Sequence, residues 1–210
     1  MQEQVWRQAV ETAPDGKLTA SYVKQAVEDI KRTEGMSQEL SVLLSHESTE
    51  WYTPPEYIEA TKAVLGGIDL DPASSIAAQE IVQADHYFTL HEDGLSQDWY
   101  GTVYLNPPYS TICGRSNQEI RSQKLIQEYA AGHITEAILL VKSALGYVWF
   151  ENLWDKYPVC FARELIRFIR PDGTAEGKDK LGSAFFYLGN NLTRFEAVFG
   201  RLGRIIKPVS

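Results

Sequence analysis

The stretch Thr102-Val103-Tyr104-Leu105-Asn106-Pro107-Pro108-Tyr109 joins a short apolar run to a stiff polar turn. Its first four residues are β-branched, aromatic or aliphatic, which predicts a strand. The helix-compatible sequence after Ser110 predicts a helix behind it. An Asn, two prolines and an aromatic ring therefore stand at the carboxyl end of a predicted strand, the edge at which open α/β sheets bind ligands. Neither Pro107 nor Pro108 has a backbone N–H, and each ring fixes its own φ. Asn106 and Pro107, as residues before proline, are themselves held extended. An ordinary turn would use the same residue types, so the neighbouring sequence has to weigh in.

Upstream, Ile68-Asp69-Leu70 reads as a strand, and Asp71-Pro72-Ala73-Ser74 as a turn into a helix reaching toward Val82. The turn has no Gly-x-Gly, so the small residues Ala73 and Ser74 would have to let a ligand approach. Before this strand, Thr53-Pro54-Pro55-Glu56 predicts a helix start with Thr as cap and Pro at the first helical position. Gly66-Gly67 is its stop. Downstream, Ile112–Ala131 reads as a helix ending at Gly132, and Ala137–Val141 as a strand buried on both faces. Further strands are expected over Val159–Phe161, Leu165–Ile169, Ser183–Leu188 and Leu202–Ile206. Helices and strands in this order predict an α/β, doubly wound, Rossmann-like domain over residues 49–210.

The chemistry that suits the 106–109 turn is methyl transfer to an amino group conjugated with a planar ring. Such a nitrogen is a poor nucleophile because its lone pair is delocalised. Two acceptors against its N–H bonds would favour a tetrahedral geometry, and the Asn106 side-chain oxygen and the Pro107 carbonyl are both acceptors. Pro108 stiffens the loop that holds them. Tyr109 offers a face on which a base can stack, worth roughly 1–3 kcal/mol.

Four motifs follow one another in order: Glu50-Trp51-Tyr52-Thr53-Pro54-Pro55, Ile68 to Ser74, Glu92-Asp93-Gly94-Leu95 with Trp99, and Leu105 to Ser110. On these residues the chain, from 50 to about 206, resembles the phage-type DNA N6-adenine methyltransferase (Dam-like) family. Ala137–Val141, Trp149-Phe150, Arg163 to Phe168 and Phe185–Gly189 add further likeness. The resemblance implies an S-adenosyl-L-methionine-dependent enzyme that methylates adenine N6 in double-stranded DNA, on a base flipped out of the duplex. It implies cofactor contacts from Trp51, Tyr52, Thr53, Asp69, Asp71, Pro72, Ala73, Ser74, Asp93, Leu95 and Asn106. Carboxylates at Asp69 and Asp71 suit the cofactor's ammonium, with Asp71 nearest by the family pattern. Thr53 and the helix start behind it suit the carboxylate, and Asp93 with Leu95 the adenine. Asp85 is a further candidate for the ribose hydroxyls. Of the adjacent pair Trp51 and Tyr52, one touches the cofactor and the other points elsewhere, while Trp99 and Trp149 are expected in the core.

The net charge of −8 argues against indiscriminate coating of nucleic acid but leaves room for a local basic face. Ser110, Arg115, Arg121 and Lys124 after the motif, with Arg163, Arg167 and Arg170 further on, are the expected DNA contacts. The polar loop Pro171–Lys180 either reaches the nucleic acid or is a solvated hairpin tip. Cys113 and Cys160 show no paired spacing and are expected as reduced structural thiols in a cytoplasmic protein. The four histidines lack ligand-like spacing, so no metal is expected. No apolar run approaches the ~20 residues that cross a bilayer, and no membrane role is expected.

Residues 1–48 differ in character. Val5–Val10 and Thr19–Arg32 predict two amphipathic helices around a Pro14-Asp15-Gly16 turn, with 34–48 a linker. Residues 1–45 resemble the helical tail after ParB-like domains in fused phage proteins, which implies a remnant of a larger protein. Two other readings stand beside DNA methylation. One is methylation of an RNA base or a protein glutamine; the other is an inactive DNA-binding accessory module.

Overall fold

A computed structural model describes residues 51–112, 114–169 and 182–208. The expectations for the N-terminal helices and linker, Cys113, Arg170 and the 171–180 loop lie outside the described residues. Helix α1 (Pro55–Leu65) leads to strand β1 (Leu70–Asp71), then α2 (Ile76–Val82), β2 (His86–Tyr87) and β3 (Gly101–Leu105). A two-stranded hairpin, β4 (Thr111–Ile112) and β5 (Arg115–Ser116), precedes α3 (Asn117–Ala130). Then come β6 (Ile134–Lys142), α4 (Val148–Trp154), β7 (Val159–Ala162), β8 (Ser183–Leu188), α5 (Leu192–Phe199) and β9 (Gly203–Ile206).

Seven strands form one sheet in the order β2-β1-β3-β6-β8-β7-β9. The first four run parallel, while β8 is antiparallel to both β6 and β7, and β9 is antiparallel to β7. The chain moves from β1 outward to β2 and then returns to the other side of β1 as β3. The strand order thus reverses between β1 and β3, and the crevice of a doubly wound sheet opens at the carboxyl ends of such a pair.

Alternation explains why the apolar runs are continuous. Ala137, Leu139 and Val141 of β6 pack with Val103, Leu105, Leu125 and Phe150 on one face; Ile138 and Leu140 pack with Ile58, Val64, Phe185 and Phe199 on the other. A strand buried on both faces has no polar side to show. Trp99 and Trp149 sit in the first of these clusters. Cys160 is a buried free thiol in the second, its pKa pushed up to about 12 by burial.

Three expectations need correction. The helix expected from Ile112 begins at Asn117, because Gly114 takes a φ of +79° and turns the chain back as the hairpin. The strand expected over Leu165–Ile169 keeps the alternation, with Ile166 and Phe168 buried, but among the described residues it pairs only through a bridge from Ile169 to Tyr52. Its neighbour β7 is already paired on both edges. Helix α1 is capped at Pro54 rather than Thr53, and Thr53 is used elsewhere. Among the described residues, no helix is long and apolar enough to cross a membrane.

Candidate active site

Asn106 leaves the carboxyl end of β3 and is fixed by its amide nitrogen. Nδ2 donates to the Trp51 carbonyl at 3.2 Å and to Thr53 Oγ1 at 3.3 Å. A carbonyl can only accept, so the nitrogen must face Trp51 and the oxygen must face away. Thr53, 3 % exposed, is held in turn by the Tyr104 hydroxyl at 2.6 Å. Burial raises the Tyr104 pKa well above its ordinary value, so this partner stays a phenol. Asn106 Oδ1, by contrast, is buried with no hydrogen-bond partner among the described residues. Buried polar atoms are nearly always satisfied, so an acceptor left open calls for a ligand.

Pro107 to Ser110 complete the loop. Pro107 is buried and Pro108 exposed. The Tyr109 ring stands edge-on to Phe168, with centroids 6.2 Å apart at 86°, and Lys142 Nζ lies 4.1 Å from its centroid. Ser110 is turned inward: its hydroxyl accepts from Asn117 Nδ2 at 2.9 Å, and its carbonyl from Asn117 N at 3.0 Å, which closes the hairpin onto α3.

Across the crevice, Asp71 ends β1 at 3 % exposure. Ala73 N donates to its Oδ1 at 3.3 Å and Gln79 Nε2 to its Oδ2 at 3.0 Å. Gln79 Nε2 also donates to Ser74 Oγ at 2.7 Å. Burial pushes the Asp71 pKa up to about 6, against the lowering effect of its bonds with Ser74 and Ala73 and of nearby Arg121. The Pro72 carbonyl accepts from Arg121 Nη1 at 3.0 Å. Gly94 is pressed on the same carbonyl, because a Cβ there would come within 2.1 Å of it. The loop bearing Asp93 and Leu95 is thereby set against the Asp71–Ser74 turn. Asp93 is exposed, at a φ of +46°, and its Oδ1 accepts from Leu95 N at 3.3 Å.

Several expected contacts are placed differently. Asp69 Oδ2 accepts from Thr102 N at 2.7 Å, so this carboxylate clamps the amino ends of β1 and β3 and does not reach the crevice. Asp85 precedes β2, its N–H bonded to the Ile68 carbonyl, and so lies at the amino edge too. Thr53 Oγ1 is bonded to Asn106 Nδ2 and to the Tyr104 hydroxyl. Tyr52 is buried, bridges to Ile169, and accepts from Ser75 Oγ at 3.3 Å, which leaves Trp51 the more open of the two. Arg121 is 8 % exposed, with Nε donating to Asn117 Oδ1 at 3.2 Å. It straps α3 to the Pro72 turn and does not fit a row of exposed phosphate contacts. Lys124 is held by Glu128 at 2.7 Å over the Trp99 ring. Arg115 pairs with Glu119 at 2.7 Å, and Arg163 and Arg167 are exposed.

Sequence reasoning missed Gln79, Gln118 and Lys142. Gln79 lies one helical turn past Ser75, on the face turned to Asp71, a spacing legible only once the start of α2 is known. Lys142 carried a plainer signal: it is the polar residue ending an apolar strand, at the edge where ligands gather.

No curated protein and no solved structure matches this chain. The profile of one family, described as DNA N-6-adenine-methyltransferase (Dam), matches residues 40–193, which include Asp71, Asp93 and the Asn106–Tyr109 loop. With that match over most of its length, and the crevice between β1 and β3 built from the same residues, the chain belongs to the DNA N-6-adenine-methyltransferase family.

Proposed function

We propose that the protein methylates the exocyclic amino group of adenine in double-stranded DNA, with S-adenosylmethionine as donor and the target base flipped out of the duplex. One observation carries this reading: Asn106 Oδ1 is a buried acceptor with no partner among the described residues, and the Trp51 carbonyl holds the amide so that the oxygen faces away. An amino group conjugated with a purine supplies the donor that this oxygen lacks.

The residues present suit the cofactor. Asp71 is a buried carboxylate whose charge stays costly even with Arg121 nearby, and the cofactor's ammonium is a further cation that offsets this cost. Ala73 and Ser74 leave the turn uncrowded, while Asp93 and Leu95 offer an acceptor and an apolar edge to its adenine. When bound, S-adenosylmethionine supplies an electrophilic methyl group on its sulfonium. Asn106 Oδ1 and the Pro107 carbonyl then accept the two N–H bonds of the target amino group and hold its lone pair out of the ring. These acceptors gain strength as positive charge builds on that nitrogen, which is where preorganised dipoles contribute most. Tyr109 receives the extruded base on its ring.

The deciding experiment incubates the protein with methyl-labelled donor and, separately, unmethylated duplex DNA, RNA and cell protein. Label recovered as N6-methyladenine from the DNA supports the reading. Label on RNA or on a protein glutamine, or on nothing, overturns it.

A further inference from the structure

The sheet ends at β9, and the outer edge of that strand is built with donors. Arg163 N donates to the Leu202 carbonyl at 3.0 Å, so these two residues form a hydrogen-bonded pair of the β7–β9 ladder. Bonded and non-bonded pairs alternate along an antiparallel ladder. Phe161 with Arg204 is therefore the next bonded pair, while Ala162 with Gly203 and Cys160 with Ile205 are non-bonded ones. The N–H groups of Gly203 and Ile205 consequently point away from β7, and among the described residues no strand lies beyond β9.

Two cations stand beside those N–H groups. Arg204 lies opposite Phe161, and Arg163, two residues on from Phe161, leaves the same face. Both arginines are exposed, and with Gly203 and Ile205 they line an open groove of about 710 Å³. The carboxylate on its wall, Glu196, is held by Lys207 Nζ at 2.5 Å. Among the described residues, neither guanidinium pairs with a carboxylate. Strands β6 and β7 both run against β8, so the groove opens at the edge of the sheet that carries Asn106 and Asp71.

We propose that this groove binds a backbone phosphate of the DNA duplex, to one side of the target adenine. This rests on the DNA-methylating reading above. Neighbouring guanidinia on one face repel each other, as like charges across a ladder do, and an anion between them removes the repulsion. A sheet edge that presents N–H groups makes an anion-binding concavity. A phosphodiester meets both conditions, because its oxygens accept from guanidinium and backbone donors alike. Four strand spacings separate β3 from β9, which at about 4.8 Å each sets the groove on the order of 19 Å from Asn106. At about 3.4 Å per base pair, that reaches a phosphate roughly six base pairs from the extruded base.

The test uses the full chain, fluorescently labelled duplex DNA free of adenine methylation, and the variants Arg204→Ser, Arg204→Lys and Arg201→Ser. Arg201 is exposed on the turn before β9 but does not line the groove, so its variant changes net charge equally. Anisotropy over a range of salt should show the log–log slope reduced by about 0.9 in Arg204→Ser and kept in Arg204→Lys. At about 0.1 M salt, Arg204→Ser should bind DNA roughly 5- to 10-fold more weakly. Its KM for DNA should rise while kcat and the affinity for S-adenosylmethionine hold. Hydroxyl-radical protection around the methylated adenine should retreat on one side only. An unchanged slope in Arg204→Ser, an equal loss in Arg201→Ser, or a retreat on both sides overturns the inference. A wild-type protein that transfers no methyl to DNA overturns the functional reading and this inference with it. Transfer to DNA that is indifferent to Arg204 overturns this inference alone.

Discussion

Asn106 does two jobs with one amide, and the two can be separated. Its nitrogen ties the 51–53 segment to β3, while its oxygen has no hydrogen-bond partner among the described residues. Asn106→Ala should reduce methylation roughly 10²- to 10³-fold, the cost of removing one preorganised dipole from a reacting centre. Calorimetric affinity for S-adenosylmethionine should move only a few-fold; equal loss of both would remove the role given to Oδ1. Asp71 makes a different prediction, about pH. The unfolded carboxyl releases its proton near 3.8 and the folded one near 6. Between those values the native state binds more protons, so Asp71 lowers stability as pH rises, by about 3 kcal/mol at most. Urea unfolding from pH 4 to 7 should show Asp71→Asn gaining on the wild type across that window, while the variant loses cofactor affinity at pH 7. A residue that costs stability and is needed for binding is behaving as part of a site. Both residues were legible in the sequence because their chemistry is local to a short motif. Lys142 was not: its meaning comes from a tyrosine 33 positions earlier, reached only when β3 and β6 lie side by side.

At the level of elements, the crevice depends on two close approaches to one carbonyl. Arg121 of α3 donates to Pro72 O, and the Gly94 backbone lies against it. Gly94→Ala would put a Cβ 2.1 Å from that oxygen and 3.2 Å from Phe88 Cβ. Backbone cannot give way as a flexible side chain does, so the 88–99 loop must shift, carrying Asp93 and Leu95 with it. Cofactor affinity should fall at least tenfold by titration calorimetry, with a lower melting temperature; unchanged affinity would show that this loop does not touch the cofactor. The elements legible in the sequence are those whose own pattern suffices: α1 with its prolines and Gly66 stop, β3, β6 and β8. Helices α4 and α5 escaped notice because each is short, seven and eight residues, and gives barely two turns of periodicity. The hairpin hid inside an apparent helix, since only the left-handed φ of Gly114 distinguishes it.

The sheet as a whole determines which cations can meet DNA, and the sequence alone could not sort them. Nearness to the motif along the chain makes every Arg and Lys look alike; folding divides them. Strand β7 runs in the same sense as β6, since both are antiparallel to β8, so Arg163 and Arg167 leave the sheet at the edge that carries Asn106 and Asp71. They are exposed there, and Phe168 of the same segment packs on Tyr109. Lys124 instead is held between Glu128 and the Trp99 ring, and Arg121 is buried in the Pro72 strap. In a chain of net charge −8, binding to a polyanion has to come from such a local set, because the average field repels it. Replacing Arg163 and Arg167 together by Ser should therefore reduce the slope of log affinity against log salt by about 1.8, near 0.9 for each phosphate no longer neutralised. Weakening should be similar on all DNA sequences, since phosphate contacts carry no base information. Lys124→Ser should leave the slope unchanged and cost only stability. Fluorescence anisotropy over a range of salt concentrations measures both, and a slope that follows Lys124 rather than the two arginines would move the DNA to the other side of α3.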